Sequence, residues 1–197
     1  MYKWKLKDIL FMAISAAVFG LIYLGTVYIG TFVSAALTPA GWGPFGYTPF
    51  YGIYFMAATF VAYVVRKPGI GIAAEMLAAL LEVILGNQFG PIIFLQGFLQ
   101  GFAVEIVFML TRYKKWNQGT MILSAIFGTG ITFVYDCFMY SYTACAPVVI
   151  VSMLVMYIVS GIFFAGILSK LIADGLNKAG VLRGYAISGG LRDTYEE

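Results

Sequence analysis

The chain has 197 residues, 61% of them hydrophobic and only 11% charged, with 12 Lys and Arg against 9 Asp and Glu and no His. Water-soluble domains run at about 25% charged residues, which excludes a soluble enzyme, a nucleic-acid binder and a disordered chain; the net charge of +3 needs no anionic partner, because membrane proteins gather Lys and Arg in cytoplasmic loops. The absence of His removes Ser-His-Asp and Cys-His catalysis, imidazole metal sites and His proton relays, and two cysteines, Cys137 and Cys145, are too few for a disulfide framework or a thiolate metal site.

A bilayer core takes about 20 apolar residues per helix, and six runs qualify, at about 9–37, 47–65, 69–87, 91–111, 119–142 and 147–169. The first follows the basic start Lys3, Lys5, Lys7, which has the look of a signal peptide, but the apolar run is about twice the length of an h-region. It reads as a retained helix whose outer end bends or re-enters. No charge lies between Ile9 and Val65, so the Pro/Gly cluster Thr38-Pro-Ala-Gly-Trp-Gly-Pro-Phe-Gly46 is what divides spans one and two. Arg66 and Lys67 join spans two and three, Arg112, Lys114 and Lys115 join four and five, and Lys170, Lys178, Arg183 and Arg192 follow span six. All 12 basic residues thus fall at a terminus or an even-numbered connection, and the connections 38–46, 88–90 and 143–146 carry no charge. The expectation is an all-α integral membrane protein of six transmembrane helices, multi-pass in the cell membrane, with both termini cytoplasmic. One domain, 1–175, precedes a short cytoplasmic tail, 176–197, read as a helix end followed by disorder. No internal repeat is evident, which weighs against an inverted-repeat transporter. No G-x-x-x-x-G-K-[ST] loop is present, so ATP hydrolysis by the P-loop route is excluded.

Within the spans stand Glu75 and Glu82 (span three), Glu105 (span four) and Asp136 (span five), with no Lys or Arg inside a span to pair with them. Each costs about 2.5–3.5 kcal/mol at the centre of a lipid-facing helix, so they must face the bundle, a cavity or a bound cation, or be protonated. Counting 1.5 Å per residue puts Glu82 and Gln96 about 8 Å, and Asp136 about 9 Å, below the outer ends of their spans, with Gln100 near mid-membrane. Tyr51 and Tyr54 enter from the outer face at similar depth, and Tyr135, Tyr140, Tyr142 and Trp42 add aromatic rings at that end. Carboxylates, carboxamides and rings at one level suit a flat, cationic, hydrogen-bonding organic ligand; the competing reading is an interfacial tyrosine belt with polar helix glue. Glu75 and Glu105 lie about 9 Å from the inner ends and are expected to tie helices together or couple to a cytoplasmic partner. Ala13-x-x-x-Ala17, Ala16-x-x-x-Gly20 and Gly97-x-x-x-Gly101 allow close helix approach, by default internal packing. Cys137 and Cys145 near the outer end are expected as free, buried thiols.

Several stretches match a known pattern: Tyr51-Gly-Ile-Tyr-Phe, Ala62-Tyr-Val-Val-Arg-Lys-Pro-Gly69, Glu75-Met-Leu-Ala-Ala-Leu-Leu-Glu82, Leu85-Gly86, Gln100-Gly101, Glu105, Phe108, Arg112-Tyr113, Tyr135-Asp136 and Gly180-Val181-Leu182. The sequence resembles the YkoE family, substrate-binding S components of energy-coupling factor (ECF) vitamin transporters, over about residues 3–187. The resemblance implies an S-component-like six-helix bundle that captures thiamine or its hydroxymethylpyrimidine moiety from outside. It also implies a transmembrane T component and two ATPase subunits as partners, and transport through tilting of the S component. Ala13 and Ala17 match the small-residue motif that docks onto the T component. Where the family pattern commonly has Trp, this chain has Tyr54. The substrate-binding residues expected are Glu82, Asp136, Tyr51, Tyr54, Gln96, Gln100, Asn87, Trp42 and Tyr140, with the two carboxylates suiting the thiazolium cation of thiamine. No metal, cofactor or catalytic residue is expected, so the chain reads as a binding subunit and not an enzyme. The alternative is a solitary proton-coupled secondary transporter of an organic cation, with Glu75, Glu82 or Glu105 taking up the proton.

Overall fold

The computed structural model describes residues 3–189, and every regular element among them is helical. Arg192 and the rest of the tail from 190 onward lie outside the described residues. Helix α1 spans Leu6–Leu37. Its first turn is fixed by Asp8, whose carboxylate accepts from Lys5 N at 2.7 Å at the helix end that favours negative charge. At about 48 Å it exceeds a bilayer core, and its far end reaches the Pro/Gly cluster.

Span two differs from the continuous helix expected. Gly43–Phe55 is a 13-residue 3-10 helix with Pro49 inside it, and only Met56–Val65 (α2) is α-helical. Runs of 3-10 geometry beyond three or four residues are uncommon because i and i+3 side chains eclipse. Here the eclipsed column is Gly43, Gly46, Pro49, Gly52, and it is wedged between α1 and the last span. A Cβ on Gly46 would stand 2.3 Å from Ser34 N, and one on Gly52 would stand 2.1 Å from Ser160 O. Small residues every third position make the tight spiral fit; Phe45, Thr48, Tyr51 and Tyr54 form a second column.

Arg66, in the left-handed region at φ 56°, closes α2, and Gly69 at φ 80° opens α3 (Ile70–Ile84). The 15 residues of α3 fall short of the 69–87 expected, because Leu85 ends it and Gly86 at φ 88° turns the chain. Helices α4 (Ile92–Leu110) and α5 (Gln118–Met139) follow, the latter capped by Asn117 accepting from Thr120 N at 2.9 Å. Span six is longer than expected. Helix α6 (Pro147–Gly161) continues through a π-helical turn, Ile162–Leu168, into α7 (Ser169–Lys178).

The tail is ordered as far as it is described. Leu182 is buried, Tyr185 tilts against Phe11 at 4.9 Å, and the Tyr185 hydroxyl donates to Lys7 O at 3.2 Å. The expected disorder after the helix end therefore does not hold for residues 179–189. Among the described residues five helical segments are long and apolar enough to cross a membrane, and α3, packed between α1 and α4, runs between the same two ends. Large apolar side chains such as Leu10, Ile14, Leu21, Phe32, Val151 and Phe163 point outward, as a lipid-facing surface requires.

The small-residue motifs divide their work. Gly20 sits where a Cβ would meet Ala78 O at 2.9 Å, and Gly97 and Gly101 sit where a Cβ would come within 2.6 Å of Ala79 and 2.8 Å of Ile72, so these seal α3 against α1 and α4. Ala13 and Ala17 instead face outward, with Ala16 buried behind them.

Candidate substrate-binding site

A cavity of about 280 Å³ lies at the uncharged end of the bundle. Its walls come from the far end of α1 (Val27, Ser34), the 3-10 segment (Tyr47, Tyr51, Tyr54), α3 (Glu82), α4 (Ile93, Gln96, Gln100) and α5 (Asp136). Gly43 and Pro44 at the start of the 3-10 segment, with Thr38, Phe89, Tyr140 and Tyr142 from the connections at that end, complete it. Two carboxylates and five tyrosines line it, with no Lys or Arg.

Asp136 is fully buried, one turn from the end of α5. Its Oδ2 accepts from the hydroxyls of Tyr51 and of Tyr157, the latter at 3.0 Å, and its Oδ1 accepts from Gln96 Nε2 at 3.2 Å. Gln96 Nε2 also donates to Tyr51 OH at 2.9 Å, while Gln96 Oε1 accepts from Tyr140 OH at 3.1 Å. The rings of Tyr51 and Tyr157 stack with centroids 3.7 Å apart and planes 21° apart. Tyr142, on the connection after α5, has its phenol pushed up by burial and by the Asp136 carboxylate, so it stays neutral and able to donate.

Glu82, in the last turn of α3, is buried yet differently served. Its Oε2 accepts from Asn87 Nδ2 at 2.6 Å, and Asn87 Oδ1 in turn accepts from Phe89 N at 2.9 Å. Tyr54 stands edge-on to both Tyr51 and Tyr23, centroids 5.6 Å apart in each pair.

Of the residues read from sequence, Glu82, Asp136, Tyr51, Tyr54, Gln96, Gln100 and Tyr140 line one cavity. Asn87 stands behind Glu82 and orients it. Trp42 is not in the wall; it packs edge-on against Phe45. Depth also differs: with α3 ending at Ile84 and α5 at Met139, Glu82 and Asp136 lie only about 3 and 4.5 Å from their helix ends. Val27, Ser34, Tyr47, Phe89 and Ile93 carry no chemical signal in the sequence and enter the wall through topology. Tyr157, which reaches Asp136 from α6, was also missed; nothing in its apolar run sets it apart.

The other two intramembrane carboxylates cap helices. Glu75 Oε2 accepts from Ala58 N at 2.8 Å and from Tyr23 OH at 3.3 Å, and Tyr23 OH accepts from Ala57 N at 2.7 Å. Together they satisfy main-chain N–H groups that the start of α2 leaves free. Glu105 accepts from Gly69 N, from Ile72 N at 3.0 Å and from Tyr113 OH at 2.8 Å, which caps α3. Tyr113 lies beyond α4, and burial first, then its hydrogen bond to Glu105, pushes its phenol up. Lys67 meets Asp8 in a buried ion pair at 2.6 Å, tying the start of α1 to the loop before α3. Cys137 and Cys145 are free and half-buried.

The comparisons with known proteins agree with this architecture. A family model described as "ABC-type cobalt transport system, permease component" matches residues 7–131. Among the described residues no three His, Cys, Asp or Glu side chains group to hold a metal ion. A protein of Bacillus subtilis (strain 168) named an HMP/thiamine permease protein, YkoE, is 36% identical over 187 residues, covering 95% of this chain and 92% of that protein. A solved structure described as the crystal structure of an S-component of an ECF transporter superposes with a TM-score of 0.90 at 36% identity, over 96% of this chain and 94% of that one. With that fold, that identity over nearly its full length and a bundle of apolar helices, this chain belongs to the YkoE family of ECF-transporter S components and is a multi-pass protein of the cell membrane.

Proposed function

We propose that this protein is the membrane-embedded binding subunit of an ECF-type importer, that it captures thiamine or its hydroxymethylpyrimidine moiety from outside, and that a T component and two ATPase subunits carry the ligand inward with it. The observation that carries the reading is the cavity wall, with two carboxylates, five tyrosines and the carboxamides of Gln96 and Gln100, and no basic side chain. A wall of that composition attracts a flat organic cation by charge and ring contact and reads its edge through amides. The name of the Bacillus subtilis relative speaks for the same ligand pair. In this reading the basic end faces the cytoplasm and the cavity faces outward. Ala13 and Ala17, exposed on α1 beside Leu77, Leu80 and Ile84, form the T-component contact. The subunit binds and does no chemistry of its own.

Isothermal titration calorimetry of the purified protein, stripped of carried-over ligand, tests this with thiamine and hydroxymethylpyrimidine in separate titrations. Sub-micromolar thiamine binding is expected, with the pyrimidine alcohol weaker because it lacks the thiazolium charge. Equal affinities would move recognition to the pyrimidine ring. No heat with either would overturn the proposed ligand class.

A further inference from the structure

The polar groups of the cavity fall into two sets that sequence cannot separate. The first is closed on itself. Asp136 has three donors on its two oxygens, Tyr51 and Tyr157 on Oδ2 and Gln96 on Oδ1. A carboxylate offers about four lone-pair sites, so the protein takes all but one of them. Both N–H bonds of Gln96 are spent on Tyr51 and Asp136. The second set is open. Glu82 has one donor, Asn87, on Oε2, and its second oxygen, like the Gln100 carboxamide, makes no hydrogen bond among the described residues, while both largely buried residues line the cavity. Polar groups left free at a cavity wall are where a ligand's donors and charge go.

Tyr157 belongs to neither wall nor ligand. It is fully buried and absent from the lining, and it is clamped between Tyr51, stacked at 3.7 Å, and Phe133, edge-on at 5.0 Å. Its hydroxyl ends on the same Asp136 oxygen that Tyr51 uses. Ring and hydroxyl thus constrain Tyr51 twice, once through its face and once through its hydrogen-bond partner.

We propose that Tyr157 is a positioning residue for the binding site, acting through Asp136 and Tyr51, and that Asp136 is the hub of this closed network, leaving the ligand's charge to Glu82. The proposal rests on the thiamine-class reading above. Its consequence is a division of labour: the 3-10 segment, α4, α5 and α6 are joined at Asp136 into one rigid wall, and α3 supplies the free anionic oxygen opposite.

The test is thiamine titration of the full-length protein with Tyr157→Phe, Asp136→Asn and the double variant, beside Glu82→Gln. Tyr157→Phe keeps the stack and removes one charge-assisted hydrogen bond, so an affinity loss of about tenfold is expected. Because the Tyr157 hydroxyl acts through the Asp136 carboxylate, Tyr157→Phe should cost far less affinity in the Asp136→Asn background than it does alone. Glu82→Gln should lower the ratio of thiamine to hydroxymethylpyrimidine affinity, whereas Asp136→Asn should weaken both ligands alike and leave the ratio unmoved. This second comparison stands even where a Tyr157 variant does not fold. Full affinity in Tyr157→Phe, additive losses in the double variant, or a collapsed ratio in Asp136→Asn would each overturn the proposal. If the unmodified protein binds neither ligand, it is the thiamine-class reading that fails instead.

Discussion

Glu75 and Glu105 lie inside the apolar bundle, where an ionisable side chain usually signals transport, yet neither lines the cavity. Each is occupied with main-chain N–H groups at the start of the preceding helix, where the partial positive charge of the helix end also favours a carboxylate. The prediction is specific. Glu105→Ala strands the N–H groups of Gly69 and Ile72 and the Tyr113 hydroxyl, at about 1–3 kcal/mol for each group left buried without a partner. A lowered unfolding temperature in detergent with unchanged thiamine affinity in the folded fraction is expected, measured by differential scanning fluorimetry and calorimetry; lost affinity at unchanged stability would place Glu105 in the ligand path. Glu82 and Asp136 are legible in the sequence because uncompensated charge in an apolar run stands out from everything around it. Their separate roles are not legible, since the difference lies in partners such as Tyr157 and Asn87, brought in by packing.

At the scale of elements, the 3-10 segment and the π-helical turn are the departures from a plain bundle, and they touch. Ser160, just before the π turn, accepts from Gly52 N at 2.9 Å and donates to Pro49 O at 2.8 Å, so its hydroxyl satisfies a donor and an acceptor in the 3-10 segment. The periodicity that announces this was present in the chain as Gly43, Gly46, Pro49 and Gly52, every third residue, but a period of three is easily lost among the apolar residues of a span read for length alone. Hydrophobic length locates the six runs well and fails at their ends, because Gly86 and the continued turn after Gly161 are local backbone choices that hydropathy does not register. The close approach makes a sharp contrast testable. Gly52→Ala puts a Cβ 2.1 Å from Ser160 O, against backbone that has nowhere to go, and overpacking of this kind costs about 1–3 kcal/mol or more. Gly25→Ala on α1 meets nothing within 4 Å and should be neutral or stabilising by about 0.5–1 kcal/mol. Thermal unfolding of the two variants in detergent checks this, and a Gly52→Ala protein as stable as the parent would mean the segment relaxes away from its 3-10 form.

For the whole molecule the question is what separates a binding subunit from a transporter that works alone. A solitary proton-coupled carrier needs a carboxylate free to take up a proton along the substrate path, and of the three candidates Glu75 and Glu105 are committed to helix ends. Of those three, Glu82 lines the cavity. The ion pair of Lys67 with Asp8 and the contacts of Tyr185 with Lys7 and Phe11 tie the start of α1 to the loop before α3 and to the segment after α7. The outward groove of Ala13, Ala17, Leu77, Leu80 and Ile84 then has a definite expected behaviour. Ala13→Leu with Ala17→Leu fills it with bulk that lies against the outer side of α1 and α3 and leaves in place their inward packing, which runs through Ala16 and Gly20. Thiamine binding by the purified double variant should equal that of the parent, while thiamine uptake in cells supplying the T component and ATPases should fall to background. Retained uptake would remove the groove from the partner interface, and uptake by the parent protein alone, in vesicles without ATPases, would favour the solitary carrier.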